Sequence, residues 1–195
     1  MSDDPVAHAR ARADTHRLLG RLCLAEVDAR LLAALRATPE FAATLAGDDD
    51  ALLAALRAEY ARLFLLNAPP YESVYVDEAM LLNTAATVAV VEAYRAGGYS
   101  PAGQAGAPDH VGLELGFLGH LAAVESGALA RGDVPAAAEN RTRQRRFLAE
   151  HVGRWAPIWG TAVARLARQP FYTALGAVVC DYVLAELDAA LAGAR

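Results

Sequence analysis

An aspartate and a histidine stand side by side at positions 109 and 110, where a stretch rich in glycine and proline gives way to apolar sequence. Such a pair can serve acid–base catalysis, but only next to a nucleophile or a bound substrate. The sequence contains no GxSxG motif, no CxxC motif and no conspicuous Ser or Cys nucleophile. We therefore predict that the pair is not catalytic and that the protein is not an enzyme.

The same pair also invites comparison with a metal site. His110 and Glu114 lie at positions i and i+4, so that on a helix both side chains would face the same side. A credible site needs three or four ligands, and the HExxH and ExxH patterns of helical metal sites are absent from the sequence. We predict neither a metal nor another cofactor.

Helix capping is the simplest structural interpretation of the pair. Asp109 follows Pro108 at a predicted helix start, where its carboxylate would cap free N–H groups and face the positive end of the helix dipole. His110 would then pair with Glu114 one turn later. Capping accounts for Asp109 but not for the long loop at 96–108 that precedes it, so contact with another polypeptide stays open as an explanation.

The composition favours an all-α fold. Of the 195 residues 55% are hydrophobic, with Ala and Leu predominant, and Val and Ile form no alternating run. The net charge is −5 and all 18 basic residues are arginine, which makes nucleic acid an unfavourable partner. Cys23 and Cys180 are too far apart in sequence to suggest a zinc ribbon or a disulfide framework.

The first residues, MSDDPVAHARARAD, contain no apolar stretch typical of a secretory signal, and charges interrupt every apolar run before membrane-spanning length. We therefore expect a cytoplasmic protein without a membrane span.

Capping residues, prolines and apolar periodicity predict a single globular bundle of about eight to ten helices over residues 1–195. The cleanest amphipathic helix is predicted at 50–66, and GDDD at 47–50 would cap it. Residues 67–77 are predicted to be extended because of two prolines, and 96–108 to be a loop with a possible hinge. Further helices are predicted at 77–95, from Pro108 or Asp109 to 130, from Pro135 to an interruption at Pro157, at 157–168 and at 170–192.

Three stretches now stand out in a fixed order along the chain. They are EYARLF at 59–64, PPYESVY at 69–75 and PDHVGLELGFL at 108–118. Taken together, they resemble the TorD/DmsD/NarJ family of redox-enzyme maturation chaperones, and the length and helix content agree over essentially the whole chain. Many members carry Glu-Pro-x-Asp-His, whereas this chain has Ala107-Pro108-Asp109-His110 without that acid.

The resemblance implies a TorD-like cytoplasmic chaperone. Its partner would be the catalytic subunit of a molybdenum-cofactor oxidoreductase, bound through a leader peptide and as the apo-enzyme before export. An apolar groove with carboxylates near its rim would suit a leader that has an arginine pair followed by apolar residues. The residues that the resemblance places in peptide binding are Tyr60, Leu63, Phe64, Tyr71, Ser73, Tyr75, Pro108, Asp109, His110 and Glu114, with Glu72 and Asp77 as further carboxylates. A monomer or a dimer swapped at the 96–108 hinge is expected.

Two other functions fit the length and the helix content. A TetR-like transcriptional regulator would need a basic recognition helix near its N-terminus, but DARLLAALRATPEFAATLAGDDD follows the arginines of the first helix. A helical enzyme working around 96–110 would need a triad or a metal set. The internal RRFLAE at 145–150 superficially resembles a twin-arginine signal, and we interpret it as solvated arginines beside a buried Phe147 and Leu148.

Overall fold

The computed structural model describes residues 4–78, 80–101 and 106–192. Within these ranges the chain forms ten α-helices and no β-strand, which confirms the all-α prediction. The first five helices are α1 (Pro5–Leu24), α2 (Ala29–Arg36), α3 (Pro39–Ala42), α4 (Asp49–Tyr60) and α5 (Glu72–Val76). The second five are α6 (Ala85–Ala96), α7 (Val111–Ala130), α8 (Val134–Glu150), α9 (Val152–Leu166) and α10 (Pro170–Ala192). A π-helical segment (Ala61–Asn67) continues α4.

Short polar side chains start several of these helices. The carboxylates of Asp28 and Asp48 accept hydrogen bonds from the backbone N–H groups of Leu31 and Ala51, at 2.8 and 3.0 Å. Both caps satisfy an N–H group that has no partner inside the helix. The predicted capping at 47–50 is therefore confirmed.

Helix α7 lies at the centre of the fold and packs against α1, α8 and α9. The closest approach is that of α1, because Gly20 and Gly112 leave room for the two backbones to touch. A Cβ atom on Gly20 would come within 2.7 Å of the carbonyl oxygen of Gly112. This contact fixes the position of α7 at its first turn, directly after Asp109 and His110.

A buried ion-pair network holds the opposite end of the bundle. The guanidinium of Arg12 in α1 contacts Glu186 in α10 at 2.6 Å and Glu125 in α7 at 3.3 Å. Gln144 in α8 donates a hydrogen bond to the same Glu125 at 2.8 Å. The network therefore connects α1, α7, α8 and α10.

Several predicted boundaries are wrong for identifiable reasons. The prolines at 69 and 70 leave the following residues free, so α5 forms where extended chain was predicted, and α6 begins at Ala85 and not near residue 77. Pro157 lies inside α9 and does not start it; the break falls at His151, whose backbone is non-helical (φ −126°, ψ −102°). His151 is held there by a carboxylate described below.

The loop predicted as a hinge includes residues 102–105, which lie outside the described residues. The hinge and the assignment of 1–195 to one domain stay predictions. No helix in the described part of the chain has the length and apolar character needed to cross a membrane.

Candidate functional site

The stretches around Tyr71 and His110 lie next to each other in space. They form an antiparallel bridge, in which the backbone N–H of Glu72 donates to the carbonyl of Asp109 at 2.9 Å. One step along, the N–H of Val111 donates to the carbonyl of Pro70 at 2.8 Å. Two of the stretches that carry the family resemblance therefore form one structural unit, which we call the motif joint (residues 70–73 and 109–111).

Asp109 caps a helix other than its own. Its Oδ2 accepts a hydrogen bond from the backbone N–H of Ser73 at 2.9 Å, in the first turn of α5. The Asp109 side chain has no exposed surface. The prediction that Asp109 caps the helix that follows it is wrong, because the bridge to residues 70–73 turns its carboxylate towards α5.

His110 performs the capping that was expected of Asp109. Its Nδ1 accepts a hydrogen bond from the backbone N–H of Gly112 at 3.0 Å, at the start of α7. Acceptance requires an unprotonated Nδ1, and burial lowers the pKa of His110 to about 4 despite the neighbouring Asp109 carboxylate. The imidazole is therefore neutral at pH 7.

The predicted ion pair between His110 and Glu114 does not form. The Glu114 carboxyl, fully buried, accepts a hydrogen bond from the indole N–H of Trp155 at 3.2 Å. Burial raises the pKa of Glu114 well above its usual range, and the nearby Glu72 carboxylate raises it further. Both effects favour the protonated form of Glu114, and its burial removes it from the surface.

Glu72 connects this interior region to the junction of α8 and α9. Its Oε2 lies 3.0 Å from Nδ1 of His151, and the exposed fractions of the Glu72 and His151 side chains are 2% and 9%. The contact holds His151 in the non-helical conformation that ends α8. Sequence reasoning missed His151 and Trp155, since nothing in the local pattern links residues 79 and 41 positions apart.

The EYARLF stretch also forms a structural clamp. Arg62 donates to both oxygens of Glu59, at 2.8 and 2.7 Å, and to the carbonyl of Leu166 at 2.6 Å. Glu59 in turn accepts the backbone N–H of Arg168 at 2.5 Å. The clamp joins the end of α4 to the connection between α9 and α10. The aromatic ring of Phe64, deep in the core, packs edge-on against Tyr60.

The ten residues predicted to bind peptide thus fall into two groups. Six are buried: Leu63, Phe64, Ser73, Asp109, His110 and Glu114. Four are partly exposed: Tyr60, Tyr71, Tyr75 and Pro108. Glu72, a predicted rim carboxylate, is also buried. That these residues contact a peptide stays a prediction, and the buried ones are positioned to hold the motif joint and the core together.

The motif joint shows no assembled nucleophile. The Ser73 hydroxyl makes no hydrogen bond with any described residue, and the Nδ1 of His110 accepts one from a backbone N–H group. Among the described residues no group of three or more His, Cys, Asp or Glu side chains is arranged to hold a metal ion. The polar side chains of the motif joint hold helix starts and loops in place.

Two open grooves lie between helices of the bundle. One, of about 390 Å³, separates α6 from α8 and has Phe117, Phe147 and His151 among its lining residues. The other, of about 500 Å³, lies between α1 and α7 and is lined in part by Gly20, Gly112 and Tyr99. Gly112, in the second groove, directly follows the motif joint in sequence, and His151, in the first, contacts Glu72 of the joint.

Fold and site together define the class: an all-helical protein in which the family-like stretches build a buried interior beside open grooves. Comparison with known families agrees with this class. The family model described as nitrate reductase delta subunit matches residues 28–159, more than half of the chain. The chain belongs to this family of NarJ/TorD-type chaperones of molybdoenzyme assembly. No curated protein matches the sequence significantly.

The family match confirms the resemblance that the three stretches indicated. It also counts against the TetR-like alternative, which needs a basic recognition helix after the arginines of the first helix. The helix after α2 is α3, which is only 4 residues long and begins with a proline. A helix of one turn is too short to lie in a major groove and contact several bases.

Proposed function

We propose that this chain binds the leader peptide, the apo form, or both, of the catalytic subunit of a molybdenum-cofactor oxidoreductase, and assists cofactor insertion and assembly before export. The proposal places the protein in the cytoplasm, as a monomer or as a dimer swapped at residues 96–108. The family supports the client class. The observation that carries the proposal is the motif joint, where two family-like stretches meet at an Asp109–Ser73 hydrogen bond of 2.9 Å.

In this proposal the ten predicted residues have two roles, which follow from whether each side chain is exposed or buried. Tyr60, Tyr71, Tyr75 and Pro108 present partly exposed edges that contact the client. The buried members, such as Asp109 and Glu114, act by positioning the loops that carry those edges. In this proposal the chain transforms no substrate: Asp109 caps α5, His110 caps α7 and Glu72 contacts His151.

A chaperone must release its client, and the available surface is consistent with modest affinity. Burying about four leucine-sized side chains yields roughly 6–12 kcal/mol before ordering costs. Ordering a flexible leader removes part of this, which leaves binding no tighter than roughly micromolar, a binding free energy of about −8 kcal/mol. Such an affinity lets cofactor loading and folding of the client compete with the chaperone.

Co-expression with a molybdoenzyme catalytic subunit of the same genome tests the proposal. The subunit is produced in a host that makes no molybdenum cofactor, in full-length and leader-deleted forms, and the complexes are measured by size-exclusion chromatography with light scattering. We expect a complex with the apo-subunit, weakened by deletion of the leader and absent with the cofactor-loaded enzyme. A chain that forms no complex with any form of the subunit would refute the proposal.

A further inference from the structure

The groove between α6 and α8 is open along one side and has an apolar floor. Ala89 and Ala93 form the α6 wall, and these small side chains keep the groove wide. Phe117 from α7 and Phe147 from α8 lie at its base, with ring centroids 4.8 Å apart. Its volume of about 390 Å³ suits a few side chains of an extended segment and is too small for a docked helix.

Residues that belong to the family-like stretches, or that contact them, line this groove. Phe117 belongs to the GLELGFL stretch, and His151, which also lines the groove, is held by Glu72 at 3.0 Å. Tyr94 of α6 donates a hydrogen bond from its hydroxyl to the carbonyl of Pro108 at 2.9 Å, and its ring packs against Phe117. The family-like motifs therefore shape this surface from below.

The unpaired charge on the groove is negative. Arg146 donates to Glu150 at 2.8 Å, and Arg143 donates to Glu139 at 2.6 Å, so both arginines of the lining are already neutralised. Glu92, exposed on the rim, forms no ion pair within the described part of the chain. One turn before it on α6, Val88 is 58% exposed. A carboxylate next to exposed apolar surface suits a cationic group with an apolar neighbour.

We propose that the groove between α6 and α8 binds a short extended segment of the client polypeptide, with a guanidinium paired to Glu92 and the following apolar side chains over Phe117 and Phe147. This inference rests on the proposed function and deepens it by adding a second client contact, in this groove, to the one proposed at Tyr60, Tyr71, Tyr75 and Pro108. A small anion fits poorly, because the groove's arginines are already paired. A nucleic acid fits poorly as well, because the free rim charge is a carboxylate.

A labelled synthetic peptide with two adjacent arginines followed by Phe-Leu provides the probe. Binding by fluorescence anisotropy is compared for the wild-type chain, Glu92→Gln, Ala93→Trp and the control Glu40→Gln, which alters an exposed carboxylate on α3 by the same charge. We expect Glu92→Gln to weaken binding about three- to fivefold, as for an exposed charge pair. Ala93→Trp, which fills the groove, should weaken it at least about tenfold, and Glu40→Gln should have no effect.

A second peptide, in which both arginines are replaced by glutamine, closes a double-mutant cycle. The wild-type chain should bind this glutamine peptide as weakly as Glu92→Gln binds the arginine peptide. Glu92→Gln should bind the glutamine peptide with no further loss of affinity. Circular dichroism shows whether each variant is folded. If Ala93→Trp does not fold, Glu92→Gln alone still tests the proposal.

Three failures are distinguishable. If the wild-type chain binds the peptide and neither groove variant changes the affinity, the groove inference is overturned while the proposed function stands. If the arginine and glutamine peptides bind with equal affinity, recognition of a cation by Glu92 is overturned. If the wild-type chain binds neither the peptide nor the apo-subunit of the co-expression experiment, the proposed function fails together with the inference.

Discussion

The carboxylate of Asp109 caps a helix that begins 37 residues earlier in the chain, because its Oδ2 accepts the backbone N–H of Ser73, at a separation of 36 residues, over 2.9 Å. Neither side chain has exposed surface. The bond joins the entry to α7 to the first turn of α5, so the PPYESVY and PDH stretches behave as one unit. An Asp-His pair that looks catalytic in sequence is in this structure a joint between two loops.

Removal of this joint should cost more than removal of an ordinary cap. Asp109→Ala leaves a buried N–H group without a partner, and we expect a loss of about 2–3 kcal/mol in the free energy of unfolding. The matched control is Asp133→Ala, an exposed cap that accepts the N–H of Ala136 at 3.1 Å, for which about 1 kcal/mol is expected. Urea denaturation measures both losses. Equal losses would show that the buried hydrogen bond of Asp109 stabilises the protein no more than an exposed cap does.

The ion-pair network around Arg12 should be sensitive to loss of its only arginine in α1. Arg12→Met leaves the carboxylates of Glu125 and Glu186 largely buried without their closest cation, which should cost about 3 kcal/mol or more of stability. Arg17→Met changes an arginine whose side chain is 54% exposed and whose distance to Asp14 is 3.7 Å, so an effect within about 0.5 kcal/mol is expected. Similar midpoints for the two variants in guanidinium chloride would contradict this ranking.

Acid should destabilise the protein through His16. Burial lowers the pKa of His16 in the folded state to about 4, against 6.5 for a free histidine. Between these two pH values His16 is protonated in the unfolded chain but neutral in the folded one. Its contribution to the free energy of unfolding is therefore fully present above pH 6.5 and is lost as the pH falls towards 4. The contribution is about 3 kcal/mol for a shift of this size.

A pH series with two variants isolates this effect. Between pH 7 and pH 4 the free energy of unfolding of His16→Gln should fall by about 3 kcal/mol less than that of the wild type. His8→Gln, at an exposed position on the same helix, should show the wild-type fall. The attribution to His16 is wrong if His16→Gln loses as much stability in acid as the wild type does.

The approach of α1 to α7 should tolerate no added side chain. Gly20→Ala would place a Cβ atom 2.7 Å from a backbone carbonyl oxygen of α7, and the resulting shift should cost about 1–3 kcal/mol. Gly127→Ala, in the same helix pair, meets only the flexible end of Arg131 at 3.3 Å. There the gain in helix propensity should stabilise the protein by about 0.5–1 kcal/mol. Thermal unfolding that ranks the two variants in the opposite order would contradict the packing described for α1 and α7.

Sequence periodicity was sufficient for the fold class and for most helices, because an Ala- and Leu-rich helix has the same local signature in any context. Asp28 and Asp48 were also predictable as caps, since a cap and its N–H partner lie two or three residues apart. The chaperone resemblance was likewise readable from the order of three short stretches, and the family match confirms it.

The side-chain contacts in the interior were not predictable from local sequence patterns. Asp109 looked like the cap of its own helix, and only the bridge between residues 71 and 110 shows that its carboxylate faces α5. Glu114 was expected to contact a bound peptide near the rim of a groove, yet it is fully buried and accepts a hydrogen bond from the indole N–H of Trp155. Such contacts join positions far apart in sequence, for which a local pattern carries no signal.

Hydrogen–deuterium exchange of the chain, alone and with the apo- or cofactor-loaded catalytic subunit, tests the central claim most directly. We predict slower exchange in residues 85–96 and 134–150, the helices on either side of the groove, with the apo-subunit and no change with the loaded enzyme. The account is contradicted if the apo-subunit leaves exchange unchanged throughout the chain, or if the loaded enzyme protects the same helices equally.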